Sequence, residues 1–172
     1  MKRYIHIFLV SLLFPAVGAT AQIGIYGQFS AGKLNFPYSH WIYGPTLGAY
    51  FAQQHFKILR TGIDVRGAFL GNSGDTVWNS GLAGLRVGLK PHVLPIQPYV
   101  EGLIGGAHTE FGDGFSRTVT TNFEYQVLGG VDLTVLPHID WRVVEFSYGE
   151  LPNLNSGMDS KMLSTGVVVR LR

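Results

Sequence analysis

The sequence predicts an all-β chain, an eight-stranded antiparallel up-and-down β-barrel that crosses a membrane. Three observations carry this. Eight segments of about ten residues have apolar side chains at every second position, the period of a strand with one buried face. Charged residues recur on the opposite face of those same segments. The N-terminus reads as an export signal, with Lys2 and Arg3 ahead of an apolar run from Ile5 to Val17, too short to span a bilayer, and the small residues Ala19-Thr20-Ala21 as a cleavage site.

We therefore read residues 1–21 as a signal peptide and residues 22–172 as a single barrel domain, because no Pro-rich, polar or low-complexity stretch divides the remainder. The chain contains no Cys, which excludes a lipoprotein anchor and disulfide staples. Of its 13 basic residues two lie in the signal, so 11 basic residues face 11 acidic ones and no basic stripe suggests nucleic acid. With 23 Gly, 13% aromatic and 14% charged residues, and no amphipathic helical window after the signal, strands dominate.

The first strand is expected over about Ile23 to Lys33, with Ile25, Phe29 and Ala31 on one side and Tyr26, Gln28 and Ser30 on the other. A loop with Asn35, Pro37 and His40 leads to the second, Trp41 to Ala52. The third, Phe56 to Leu70, shows clear alternation: Leu59, Thr61, Ile63, Val65 and Phe69 oppose Arg60, Asp64 and Arg66. Gly71 to Val77 is a loop by composition. The fourth strand, Asn79 to Lys90, sets Ala83, Leu85, Val87 and Leu89 against Arg86 and ends at Pro91. After Pro95 and Pro98 comes a glycine-rich fifth strand, Tyr99 to His108. A polar loop from Thr109 to Asn122 precedes the sixth, Phe123 to Val135, where six apolar residues alternate with Glu124, Gln126, Asp132 and Thr134. Pro137 closes a turn into the seventh strand, Trp141 to Tyr148. A loop from Leu151 to Ser160 leads to the eighth, Lys161 to Arg172. The connections after strands one, three, five and seven thus read as long and polar and the others as short, the asymmetry of a barrel with one rim toward the periplasm and one outside.

Desolvation decides which face meets lipid, since a charge at the midplane of a barrel's outer face costs roughly 2–4 kcal/mol. Arg60, Asp64, Arg66, Arg86, Glu124 and Asp132 are therefore expected inside, joined by Glu101, Glu145 and Arg170. Eight strands enclose only enough space for side chains, so these groups should pair with one another in a polar plug. Arg142 beside Glu145 suggests a bulge or a rim position. Trp41, Tyr43, Phe69, Trp78, Tyr99, Phe123, Trp141 and Tyr148, with Tyr50, Phe51 and Phe56, cluster near strand ends and read as interfacial girdles.

The order of these features resembles the small OmpA-type or opacity-type outer-membrane barrels. The likeness rests on the Ala19-Thr20-Ala21 signal end, on Pro98-Tyr99-Val100-Glu101-Gly102-Leu103-Ile104-Gly105-Gly106 after a proline turn, on Tyr148 ending the seventh strand, and on Gly166-Val167-Val168-Val169-Arg170-Leu171. It implies an integral protein of the cell outer membrane in a Gram-negative envelope. Such a protein stabilises the envelope, displays surface loops or at most passes very small solutes. The implied partners are outer-membrane lipid and, during insertion, the barrel-assembly machinery. That machinery recognises a terminal aromatic residue in the family, where this chain has Leu171-Arg172. A periplasmic peptidoglycan-binding domain is not expected, and we read the barrel as a monomer.

Catalysis, cofactors and metals are not expected. The lipid A deacylase type of barrel uses a His and a Ser two residues apart on one strand, with an acid. No His here has Ser at that position, and a distant set such as His108, Ser116 and Asp113 looks like loop formers. His55, His92 and His138 fall one in each short turn, too dispersed to converge on an ion. Asp75, Asp113 and Asp159, with Glu110 and Glu150, are assigned to outward loops as turn chemistry, and Gly102, Gly105 and Gly106 to packing or curvature. The competing reading is an exported soluble barrel of lipocalin type, its apolar face turned inward around a small hydrophobic ligand.

Overall fold

The structure, a computed structural model, describes residues 21–35, 39–55, 58–72, 76–91, 94–111, 118–152 and 158–171. The sequence positions read as signal peptide, apart from Ala21, lie outside this set, as do Phe56, Asp75, His92, Asp113, Ser116 and Arg172. Eight antiparallel strands form one closed sheet: β1 (Ala21–Asn35), β2 (Ser39–Gln54), β3 (Leu59–Gly71), β4 (Thr76–Leu89), β5 (Ile96–Phe111), β6 (Thr118–Leu136), β7 (Ile139–Leu151) and β8 (Met158–Leu171). Each strand pairs with its sequence neighbours, and β1 pairs with β8 to close the ring. Closure matters because it leaves no unpaired edge, the condition for a sheet to sit in hydrocarbon.

Alternation sets two surfaces. On β6, Val127 is 61% exposed while the adjoining Gln126 is 1% exposed. The same rhythm turns Ile25, Phe29, Leu47, Ile63, Val65, Leu85, Ile104, Phe146, Leu163 and Val167 outward, and Asp64, Arg66, Arg86, Glu101, Asp132 and Glu145 inward. An apolar exterior around a charged interior inverts the order of a water-soluble protein. The soluble lipocalin reading assigns the opposite faces, and the barrel contradicts it.

The strands are 13 to 19 residues long, whereas roughly 9–11 suffice to cross a bilayer. The surplus absorbs what composition presents as loop. Glu110, Thr118 to Asn122, Glu150 and Asp159 all lie in strands, not in outward loops. The connections that remain are residues 36–38, 72–75, 112–117 and 152–157 at one rim, and 55–58, 90–95 and 137–138 at the rim that also carries Ala21 and Leu171, hereafter the terminal rim. The expected difference in loop length is thus largely gone. What distinguishes the rims is the outer wall of the strands, where Lys33, Glu110, Glu150, Asp159 and Lys161 all lie toward the rim opposite the termini. Hairpin pairing explains the shift, because every residue added to both arms gains ladder hydrogen bonds regardless of its loop-like composition.

Glycines shape the lumen by pairing with tyrosines. Gly24 lies opposite Tyr50, Gly48 opposite Tyr26, and Gly130 opposite Tyr99. A Cβ on Gly24 or Gly48 would lie 2.4 Å from atoms of the facing tyrosine, and on Gly130 it would lie 2.5 Å from the Tyr99 hydroxyl. Each glycine therefore lets a ring lie across the wall, and the Tyr26 and Tyr99 hydroxyls reach Asp64 and Glu145. The strand glycines of β5 differ from one another. Gly105 meets the backbone of β4 at Gly81, whereas Gly102 faces open space outside and packs nothing. Replacing Gly48 with Ala should displace Tyr26 and cost about 1–3 kcal/mol through overpacking. The measurement is the urea midpoint of the refolded barrel in lipid vesicles, and an unchanged midpoint would contradict this role.

Candidate functional site

The lumen centre is a closed circuit of opposite charges. Arg66 bonds Glu101 through Nη2 at 2.6 Å and Glu145 through Nη1 at 2.7 Å. Arg86 bonds Glu101 at 2.5 Å and Asp132 at 3.0 Å. Arg142 bonds Asp132 at 2.8 Å and returns to Glu145 at 3.1 Å. Three guanidinium groups and three carboxylates thus alternate around a ring drawn from β3, β4, β5, β6 and β7, and Asp64 joins it beside Arg66 Nε at 3.3 Å. All seven residues are buried. Guanidinium forks suit such a circuit, since each can serve two carboxylates with separate N–H groups.

Tyrosines and a glutamine complete the coordination. Tyr26 donates to Asp64 at 2.8 Å, Tyr99 to Glu145 at 2.6 Å, and Gln28 Nε2 to Glu145 at 3.0 Å. The cations also stack on the rings that the glycines seat: Arg86 lies 3.6 Å from the Tyr99 centroid and 4.3 Å from that of Tyr50, and Arg142 lies 4.3 Å from that of Tyr26. Charge, hydrogen bond and π-face are thus satisfied together, as a dry polar cluster requires.

Geometry divides the residues that the sequence groups into one network. Asp64, Arg66, Arg86, Glu101, Asp132 and Glu145 meet in the ring. Glu124 does not: it is buried toward the rim opposite the termini, and Gln126 Nε2 donates to it at 2.6 Å. Eight residues of β6 separate it from Asp132, about 26 Å of strand, which puts the ring out of reach. Arg60 is displaced the other way, bonding the amide oxygens of Gln22 at 2.6 Å and Gln97 at 3.2 Å near the terminal rim. Arg170 pairs there with Asp140 at 2.9 Å.

Asp140 is a lumen residue that the sequence reading leaves out, and Arg142, read as a bulge or rim position, is a lumen residue at a bulge. Inward placement of both Arg142 and Glu145, three apart, requires a slip in the pleat, and the β7–β8 register shifts between them. Across from them Asp132 pairs with Arg142 and Val131 with Val144, so Val143 is the extra residue. Thr165 Oγ1 donates at 3.0 Å to the Arg142 carbonyl at this bulge. Parity alone flags Asp140, two residues before Arg142.

Three of the expected girdle aromatics lie inside. Trp78 is fully buried and Tyr99 is 4% exposed; Tyr50 is buried as well. Parity with Arg86 turns Trp78 inward and parity with Glu101 turns Tyr99 inward, overriding proximity to a strand end. Trp41, Tyr43, Phe69, Phe123, Trp141 and Tyr148 lie on the outer wall, with Trp41 and Phe29 each stacked near-parallel on Tyr43 at 6.4 Å. Trp78 belongs instead to an apolar layer with Leu34, Ile42, Leu70, Leu151, Met158 and Met162 that fills the lumen beyond the ring, a layer absent from the expected polar plug.

One histidine touches groups of catalytic type. His108 Nδ1 lies 3.1 Å from Thr121 Oγ1, and Nε2 lies 3.3 Å from Glu110 Oε1. The three stand on the convex outer wall, the His108 side chain 41% exposed, a setting without the enclosed donors that stabilise an oxyanion. Among the described residues no group of three or more His, Asp or Glu could hold a metal ion.

Comparison with solved structures gives barrels of this architecture. Neisserial surface protein A superposes with a TM-score of 0.66 at 21% identity, covering 88% of this chain and 98% of that one. The fold is that of the small outer-membrane β-barrels. The attachment invasion locus protein Ail of Yersinia pestis matches at 0.58 and 10% identity, over 88% of this chain and 99% of that one. A major outer membrane protein from Thermus thermophilus matches at 0.52 and 12%, over 88% and 100%. No family model and no curated protein matches the sequence. The apolar wall described above is the surface that a barrel of this fold turns toward lipid.

Within that surface the ring is insulated from water, so unpairing it is costly. Glu101→Gln would leave Arg66 and Arg86 each short of a carboxylate and should destabilise the barrel by roughly 3–5 kcal/mol. Urea unfolding in lipid vesicles, read by tryptophan fluorescence, checks this; a loss below about 1 kcal/mol would show that the ring is not held as a unit.

Proposed function

We propose that the protein is a non-enzymatic integral barrel of the outer membrane with a closed, ion-paired lumen. It acts as a monomeric structural element of the envelope that presents the four connections of the rim opposite the termini to the outside. The single observation supporting closure is the ring of Arg66, Glu101, Arg86, Asp132, Arg142 and Glu145, whose buried, mutually bonded side chains come from five strands around the lumen. The apolar layer around Trp78 is a second barrier in series. At most a very small solute could pass, and only with the ring rearranged.

In this reading the terminal rim faces the periplasm. The opposite rim, with the outward charges Lys33, Glu110, Glu150, Asp159 and Lys161, meets the polar headgroups outside. The outward Trp41, Tyr43, Phe69, Phe123, Trp141 and Tyr148 anchor the wall at the interfaces. Lipid is the permanent partner, and the barrel-assembly machinery the transient one.

A catalytic reading would rest on His108, Thr121 and Glu110. Placement of all three on a convex wall, and a secondary hydroxyl in the nucleophile position, weigh against it. Surface hydrogen bonding between β5 and β6 accounts for the contacts.

Refolded protein in planar bilayers is expected to show no steady conductance, whereas porin-sized steps in the unaltered chain would overturn the closed lumen. Incubation with phospholipid or lipopolysaccharide should release no fatty acid over hours. Acyl release that His108→Ala abolishes would replace this reading with an enzymatic one.

A further inference from the structure

The terminal rim opens into a vestibule of about 510 Å³ whose lining includes Gln22, Arg60, Lys90, His138 and Arg170. Toward the ring it narrows to a void of about 20 Å³ lined by Arg60, Tyr50, Arg86 and Tyr99, room for no more than a water molecule or so. The vestibule is thus wide at the rim and the space toward the ring is small.

Its electrostatics differ from those of the ring. There, every guanidinium group has two or more carboxylate contacts. Here Arg60, Lys90 and Arg170 share one carboxylate among the described residues, Asp140, which Arg170 engages at 2.9 Å. Arg60 bonds the neutral amide oxygens of Gln22 and Gln97. Burial holds the Lys90 ammonium below its ordinary value, and the Arg60 and Arg170 cations push it further down, so the three positive groups sit within range of one another. Among the described residues, three cations against one carboxylate leave an excess of two positive charges in a half-enclosed site, a field that favours an anion.

We propose that this vestibule is a binding site for an oxyanion of the phosphate class, gripped by the Arg60 guanidinium and the Lys90 ammonium with Arg170 behind them. Guanidinium N–H groups match the spacing of phosphate oxygens, and the ammonium adds a point charge. The His138 imidazole at the lip can add a donor. A phosphoryl group could arrive free in solution, on a soluble metabolite, or on the headgroup of a phospholipid from the leaflet at that rim. The lining residues face the lumen, so a soluble anion reaches them without leaving water.

The test is isothermal titration of inorganic phosphate into the refolded chain in maltoside micelles, which carry no phosphate, in a low-chloride buffer. Saturable one-to-one binding is expected. Each of Arg60→Gln and Lys90→Gln should weaken it about tenfold or more, the loss of one charge-assisted contact. Lys161→Gln, on the outer wall at the other rim, should leave it unchanged. Two independent variants guard against one failing to fold, and heat-modifiable migration on gels reports folding for each. Repeating the titration in nanodiscs containing phosphatidic acid separates the sources: phosphate binding that persists identifies a soluble anion, and binding that is lost identifies a lipid headgroup. Absence of saturable binding in micelles, or binding that survives both substitutions, would overturn the proposal.

Discussion

The structure depends on one constraint: a barrel of eight strands in a bilayer must turn its charges inward, and its lumen is too narrow to hydrate them. Six ionised side chains meet that constraint by alternating in sign around a closed ring, with Asp64 as a seventh held by Arg66 and Tyr26. Coulomb attraction alone does not offset the loss of hydration for buried ions unless the remaining N–H groups and lone pairs are also satisfied. Here tyrosine hydroxyls, Gln28 and three aromatic faces supply the remainder. The cross-strand glycines belong to the same solution, since without them the rings of Tyr26, Tyr50 and Tyr99 could not lie across the wall.

The ring also fixes register. Its members come from five strands, and a one-residue slip of any of them would carry a charge from the lumen to lipid while drawing an apolar side chain inward. The penalty for mispairing is thus roughly 2–4 kcal/mol for each arginine misplaced near the midplane. Apolar cores of similar volume can be as stable as buried ion pairs, but they discriminate poorly between registers, and the lumen uses both materials. Apolar side chains fill the end near Trp78 and charges fill the centre. At the terminal rim, open water allows a basic vestibule that would be untenable deeper in the barrel.

Much of this is readable in the sequence because alternation in a membrane barrel is enforced by desolvation. Arg60, Asp64 and Arg66 on one side of β3, and Glu124, Gln126 and Asp132 on one side of β6, are inward for the same reason that Ile63 and Val127 are outward. Proximity to a strand end misplaces Trp78 and Tyr99, although each stands an even number of residues from Arg86 or Glu101 and parity alone turns it inward. Depth within the lumen is not readable. Which inward charges share a level depends on strand tilt and on how far each hairpin extends, and polar segments such as Thr118 to Asn122 pair as strand despite their loop-like composition. That is why Glu124, Arg60 and Arg170 group by sequence with residues from which the structure separates them.

The bulge in β7 shows how local irregularity serves the whole. In a regular strand Arg142 and Glu145 would point to opposite faces, and one of them would meet lipid. Inserting Val143 resets the pleat, so both turn inward while the two valines between them keep the outer wall apolar. The displaced Arg142 carbonyl accepts the Thr165 hydroxyl, which in turn lies 3.3 Å from Trp141 Nε1. The ring closes through this step: Arg142 links Asp132 to Glu145, and without it the circuit would be an open chain of three carboxylates bridged by only two guanidinium groups. A break in regular secondary structure is therefore what permits regular alternation of charge.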